Sequence, residues 1–366
     1  MLYFHTLLYT YTHTHVHIVY TIQKMHLLTE STISDILTTL TPSQAHEFLH
    51  TLSQALISFN TDNAIHQPHR TSIVTDQSTA LFMPVSNSAT TGIKIVSVPR
   101  ARPIAGVINL FSPEGELLGL LGAAEITAFR TALAIMTMYV RCSEAAVKNE
   151  HIVVLGSGRQ AEWHARLSLL LSRNPGEIKS ITFVNRGRAR LQALEEGVIT
   201  KLREKYPDVT METLSQEGTN DYNARLQSIL SASDVIFSCT PATEPNFSYA
   251  YLQSVQKPRF IGLIGSYKPQ MREIDTETLL SGSGGKVYVD SKEACLAESG
   301  ELIRAGATEE QLVEIGEVYT GARGVEKGGN VVVKCVGMGL MDLVMAKQVL
   351  DVAVARGLGM AVEGFS

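Results

Sequence analysis

Cysteine is scarce in this chain. The four residues, Cys142, Cys239, Cys295 and Cys335, stand far apart and form no CxxC pair. That spacing argues against a disulfide framework or a structural zinc site and fits a reducing, cytoplasmic compartment. No run of about 18 uninterrupted apolar residues occurs, so no segment reads as a membrane span. A basic excess is also missing: Lys plus Arg number 31 against 36 Asp plus Glu, a formal charge of −5. Nucleic acid or a lipid surface would call for the opposite balance. Charged residues make up 18% and apolar ones 45% of the chain, which excludes a largely disordered or collagen-like polymer. There is no internal repeat. The 366 residues suffice for about two domains of roughly 150 residues, each with its own core.

Residues 1–24 differ from the rest. They are rich in Tyr, Thr and His and hold no acid. His and Thr interrupt the apolar stretch that a signal peptide needs, and no A-x-A-like site follows. His13, His15 and His17 alternate, so a strand would put them on one face as metal ligands. Nothing fixes such a strand, and no carboxylate or Cys joins them. The stronger reading is a dispensable disordered or leader extension, with no metal site. Met25 then opens the first domain on a helix capped within Thr29–Ser34.

From Thr29 to Phe59 the apolar spacing is helical, with Pro42 as a break. From Arg70 to Leu121 it changes to short strands (TSIVT, ALFMPV, GIKIVSV, GVINLF, LLGLLG) separated by turn signals such as Ser112-Pro-Glu-Gly115, which predicts a twisted antiparallel sheet. A helix follows over 125–144. At His151 the pattern becomes strand, glycine turn, helix, strand: HIVVL, GSGRQA, EWHARLSLLLS, ITFVN. Further strands are expected at 234–239, 260–264 and 287–290, with 282–285 as a loop. Such alternation predicts an α/β, Rossmann-type, doubly wound parallel sheet. The block 331–350 opens as a strand, turns at Gly337–Gly339 and continues as an apolar helix, which is expected to return to the first domain.

Gly156-Ser-Gly158-Arg159-Gln160-Ala161 fits G-x-G-x-x-[G/A] and sits between a strand and a helix, the context this motif requires. Gly156 permits the turn, Gly158 lets backbone amides approach a pyrophosphate, and Ala161 lets the helix pack close. The second strand ends in Asn185-Arg186-Gly187-Arg188, where an NAD enzyme usually carries an acid for the ribose 2′-hydroxyl. Arg186 and Arg188 suit a 2′-phosphate instead, which favours NADPH over NADH. In the first domain Lys94 and Arg130 lie in apolar settings, and Arg70 stands out beside them. Such cations need a partner: either a substrate carboxylate or an internal salt bridge.

The stretches HRTSIV, GIKIVSV, EITAFRTALA, VVLGSGRQAEWHA, FVNRGRAR, SCTPATEP, IGSYKPQMREID, DSKEACLAESGEL and VVVKCVGMGLMDL, in this order, resemble the ornithine cyclodeaminase/mu-crystallin family over about residues 25–350. The resemblance implies a homodimer. It also implies an α+β substrate and dimerisation domain split between 25–145 and 328–366, around an NADP(H)-binding domain at 146–327. By the same resemblance Arg70 and Lys94 hold a substrate carboxylate, and Arg130 lies near the nicotinamide. Thr240, Pro241, Ile264 to Tyr267, Val336 and Gly337 line cofactor and substrate. The chain departs from cyclodeaminases in three places. Tyr267 stands where they carry a proton-moving Asp, Leu81 where they carry a Glu, and Asn185 where they carry an acid at the ribose. These departures resemble the mu-crystallin and ketimine reductase branch. The implied activity is NADPH-dependent reduction of a small, carboxylate-bearing, cyclic imine, with Arg70, Lys94, Arg130 and Tyr267 as the catalytic group. A cyclodeaminase-type lyase making proline and ammonia from ornithine, an amino-acid dehydrogenase and a non-catalytic NADPH-binding protein are the alternatives.

Overall fold

The computed structural model describes residues 24–102, 104–144 and 148–365. Residues 1–23, with His13, His15 and His17, lie outside the described residues. Two sheets organise the chain. The first has seven strands in the spatial order Met360–Glu363, Lys24–Leu28, Leu117–Gly122, Ala105–Phe111, Thr91–Pro99, Ser78–Ser86, Thr71–Val74. The five strands between Thr71 and Gly122 form the expected antiparallel meander. Alternation gives it one buried face, with Met83, Val85, Lys94, Ile108, Leu110 and Leu121 pointing inwards.

Four helices belong to this sheet. Glu30–Thr38 is capped by the Thr29 hydroxyl, which accepts from the Thr32 amide. Pro42–Thr61 starts on a Thr41–Gln44 capping box with Pro in the first turn, where its missing N–H costs nothing. Ala123–Glu144 and Gly339–Ala355 supply most of the remaining core through Ile126, Phe129, Leu133, Leu340, Leu343 and Val349. The C-terminal helix returns to the first sheet as expected. None of the helices is long and apolar enough to cross a membrane among the described residues.

The second sheet has eight strands, all parallel where paired. Their order is Leu312–Glu314, Gly282–Val289, Asn330–Lys334, Phe260–Leu263, Val235–Ser238, His151–Leu155, Ser180–Asn185, Thr210–Ser215. This is the doubly wound α/β sheet that the alternation predicted.

Three local expectations need correction. Lys24–Leu28 is a strand rather than the approach to a helix. It gains its hydrogen bonds from Leu117–Gly122 and Met360–Glu363, partners too distant in sequence to leave a local signal. The loop expected at 282–285 is the start of a bulged strand, with Gly282 paired to Asn330 and positive φ at Gly284 and Gly285. The expected return at residue 328 comes too early. Asn330–Lys334 lies between two strands of the eight-stranded sheet, so the chain leaves that sheet only after Lys334.

Candidate active site

Lys94 reaches the first sheet's buried face because it pairs with Met83 and Ile108 across neighbouring strands. Its ammonium lies 2.6 Å from the Asp342 carboxylate. Arg130, on helix Ala123–Glu144, donates to the same carboxylate through Nε at 2.9 Å and Nη2 at 3.3 Å. All three side chains are at most 5% exposed. The internal salt bridge is therefore the pairing found, but it is unequal: two buried cations meet one carboxylate. Burial pulls the Lys94 ammonium down to about 8. Asp342 opposes that shift, and the charges of Arg130 and Arg70 add to it. Arg130 goes up despite its burial, because Asp342, Cys335 and Asp290 favour the cation.

Arg70 precedes the strand Thr71–Val74. Its guanidinium donates to the Glu298 carboxylate and, at 3.4 Å, to the Tyr267 carbonyl. It thereby links the segment leading into the first sheet to two segments of the nucleotide half. Tyr267 is half-buried, with the Lys268 ammonium 5.5 Å from its ring centre.

Gly337 closes against Arg130. Its φ is +89°, and a Cβ there would lie 2.4 Å from Arg130 Nη1, so only glycine fits. The turn is held by buried Asp290, which accepts from the amides of Val336 (3.3 Å) and Gly337 (2.7 Å) and from the thiols of Cys295 and Cys335.

The glycine loop lies between His151–Leu155 and helix Arg159–Leu170. Gly156 has φ +122°, and a Cβ there would meet the Cys239 carbonyl at 2.8 Å, whereas a Cβ on Gly158 would meet nothing within 4 Å. Gln160 Oε1 is buried without a hydrogen-bond partner among the described residues. Ala161 is fully buried. The open face of Gly158 at the N-terminus of helix Arg159–Leu170 fits a dinucleotide diphosphate. Arg159 departs from expectation: its guanidinium is engaged by Glu125 and Glu162. Arg159 stands within the glycine motif, but two nearby carboxylates hold its guanidinium.

The neighbouring loops meet at a second carboxylate. Glu273 accepts from the amides of Thr240, Ile264, Gly265 and Ser266 and from the hydroxyls of Ser238 and Thr240, at 2.7–3.3 Å. Burial pushes its carboxyl up to about 7, with Lys334 pulling down and Glu301 pushing up. Glu301 accepts from the Glu273 amide at 2.7 Å and lies 3.8 Å from the Lys334 ammonium. At the end of strand Ser180–Asn185, Asn185 donates to the Gly187 carbonyl at 2.8 Å, and Arg186 and Arg188 are exposed.

The structure thus joins Lys94 to Arg130 and Gly337, brings Arg70 onto the Tyr267 loop, and packs the Thr240 loop on Gly265. Sequence reasoning missed Asp342, Asp290, Glu273, Glu298, Glu301 and Lys334. Asp342 and Lys334 did leave a signal, since each is a charge inside an apolar run, as Lys94 is.

Comparison with known proteins identifies a family and a fold. The ornithine cyclodeaminase/mu-crystallin family matches the chain over residues 31–357. A delta(1)-pyrroline-2-carboxylate reductase of Bacillus cereus is 28% identical over 330 residues, 84% of this chain and 92% of that protein. The ketimine reductase mu-crystallin of Rattus norvegicus is 30% identical over 247 residues, 67% of this chain and 68% of that one. Among solved structures, the Thermococcus litoralis delta(1)-pyrroline-2-carboxylate reductase in complex with NADH and L-proline superposes with a TM-score of 0.75. It is 23% identical, over 92% of this chain and 100% of the other, and shares the fold.

Proposed function

The chain belongs to the ornithine cyclodeaminase/mu-crystallin family, and from that premise we propose that it is an NADPH-dependent reductase of a small, carboxylate-bearing, cyclic imine. The observation that carries this reading is the pair of buried cations, Lys94 and Arg130, on the single carboxylate of Asp342. A buried ion cluster is stable when its charges are matched. Asp290 also favours the Arg130 cation, and an incoming substrate carboxylate supplies a second anion in direct contact with Lys94. Arg70, at the same cleft, completes the clamp by exchanging Glu298 for the substrate.

The bound nicotinamide supplies the hydride. Gly156, Gly158, Gln160 and Ala161 would hold its diphosphate, Asn185, Arg186 and Arg188 the adenosine ribose and 2′-phosphate, and Thr240, Ile264 and Gly337 the nicotinamide end. Lys94 and Arg70 fix the substrate carboxylate, which sets the imine carbon within reach of attack. Val336 walls the pocket. The nitrogen takes its proton from solvent or from the Tyr267 hydroxyl. Tyr267 offers an O–H donor where the resemblance gives cyclodeaminases a carboxylate, so it suits the donor's part.

The chain also pairs with a second copy in this reading. Phe82, Ile93, Ile95, Val107 and Leu120 share the first sheet's other face and remain half-exposed or exposed. Such an apolar face suits a partner; a single-subunit mass in sedimentation would refute it.

The function is tested with a panel of cyclic imine carboxylates, ornithine and alanine, followed by NADPH absorbance and ammonia release. NADPH consumption with an imine, and no ammonia from ornithine, is the expected result. Ammonia from ornithine at a comparable rate would assign a lyase. NADPH binding without turnover of any imine would assign a binding protein.

A further inference from the structure

The adenosine end of the cleft holds a carboxylate that no motif announced. Strand Thr210–Ser215 runs parallel to Ser180–Asn185, with Ser215 opposite Asn185. The residues after both strands therefore lie side by side. The Gln216 amide donates to the Asn185 carbonyl and the Glu217 amide to the Arg186 carbonyl, each at 3.0 Å. The Ser215 hydroxyl secures the Glu217 carbonyl at 2.6 Å. With its backbone fixed, Glu217 turns its side chain back, and Oε2 accepts from the Arg188 amide at 2.9 Å. Gly218 lies against the Arg188 guanidinium, 3.6 Å from the position of a Cβ.

We propose that Glu217 is the specificity-determining residue for the cofactor: it supplies, from the neighbouring strand, the acid missing at Asn185, and it opposes the 2′-phosphate of NADPH. A ribose 2′-hydroxyl can donate to a carboxylate. A 2′-phosphate carries about −1.5 to −2 charges and only accepts strongly. It cannot share the Arg188 amide with Glu217, because both are anionic acceptors. Asn185 is neutral and donates through Nδ2 to the Gly187 carbonyl, so it brings no charge to this place. NADPH must therefore displace Glu217 before Arg186 and Arg188 can grip its phosphate, and NADH need not. The arginines and Glu217 act in opposite directions, which makes the preference for NADPH smaller than the two arginines alone would give.

This inference rests on the dinucleotide-binding part of the proposed function and not on the imine. Dissociation constants for NADPH, NADH, 2′,5′-ADP and 5′-AMP are measured by titration calorimetry on the full chain, for wild type, Glu217→Gln and Glu217→Ser. Serine is too short to reach the Arg188 amide, so it removes both the charge and the contact. In both variants NADPH and 2′,5′-ADP should bind about tenfold more tightly, while NADH and 5′-AMP weaken a few-fold. An NADPH-to-NADH ratio unchanged within twofold in both variants would overturn the proposal, most directly if the melting temperature fell, since Glu217 would then only tie down the turn. Binding of neither dinucleotide by the wild type would sink the oxidoreductase reading together with this inference. Binding of both with an unchanged ratio would sink this inference alone.

Discussion

Two buried charge clusters lie in the two halves of this molecule, and they are balanced differently. In the nucleotide half Glu273 and Glu301 surround Lys334. Acids outnumber the cation there, yet Glu273 is satisfied by four backbone amides and two hydroxyls from adjoining loops. In the other half Lys94 and Arg130 outnumber their one shared acid, Asp342. Backbone amides at strand ends point at an acid and absorb its charge as part of the architecture. Among the described residues the Lys94 ammonium meets the Asp342 carboxylate and, at 3.5 Å, the Thr127 hydroxyl. The first cluster ties loops together through backbone amides, and the second is the one where the proposed function seats a substrate carboxylate.

The sharpest way to break this contrast is Asp342→Asn, which leaves two buried cations without their acid. Unfolding in urea should show a loss of about 3–5 kcal/mol. A loss below about 1 kcal/mol would mean that the cluster is not held together by Asp342. Glu273→Gln should cost less, about 1.5–3 kcal/mol, because the amide oxygen retains part of the acceptor set. Its signature is lower stability and weaker cofactor binding, with little change in substrate affinity at saturating cofactor. The reverse pattern would put Glu273 in the substrate site.

Lys94→Met probes the other cluster. It leaves Asp342 paired with Arg130, so melting should change little, while kcat/KM for the imine falls by about 1.5–3 kcal/mol and NADPH binding persists. The wild type adds a pH test. With Lys94 near 8, the ammonium is present below that pH and lost above it. The kcat/KM should therefore fall above pH 8 and level off near the loss seen for Lys94→Met. Lys94→Met should lack this limb; a fall of the same slope in the variant would assign it to another group. The smallest effect is expected from Tyr267→Phe. If solvent protonates the imine, reduction slows less than about tenfold. A loss of roughly 10²–10⁴ would identify the hydroxyl as the acid.

Legibility in the sequence followed the range of the interactions. The glycine turn at Gly156–Ala161, the helix cap at Thr29 and the antiparallel meander are set by hydrogen bonds and apolar periods spanning a few residues, and each was readable. Lys94 and Arg130 were readable as misplaced charges but not as partners. Arg159 shows the limit of a motif: its place at the phosphate loop is local, but its guanidinium is drawn to Glu125 on another helix.

By itself the sequence determined the kinds of element, their order and the nucleotide-binding turn, because backbone conformation and amphipathic period are properties of neighbouring residues. Only the tertiary structure decided where each buried charge finds its complement. Asp342 stands 212 residues from Arg130 and meets it because the last helix crosses back onto the first sheet. Glu217 meets Arg188 because two parallel strands end in register. The Coulomb energy of such a pair depends on separation in space, and a local pattern carries no information about that distance.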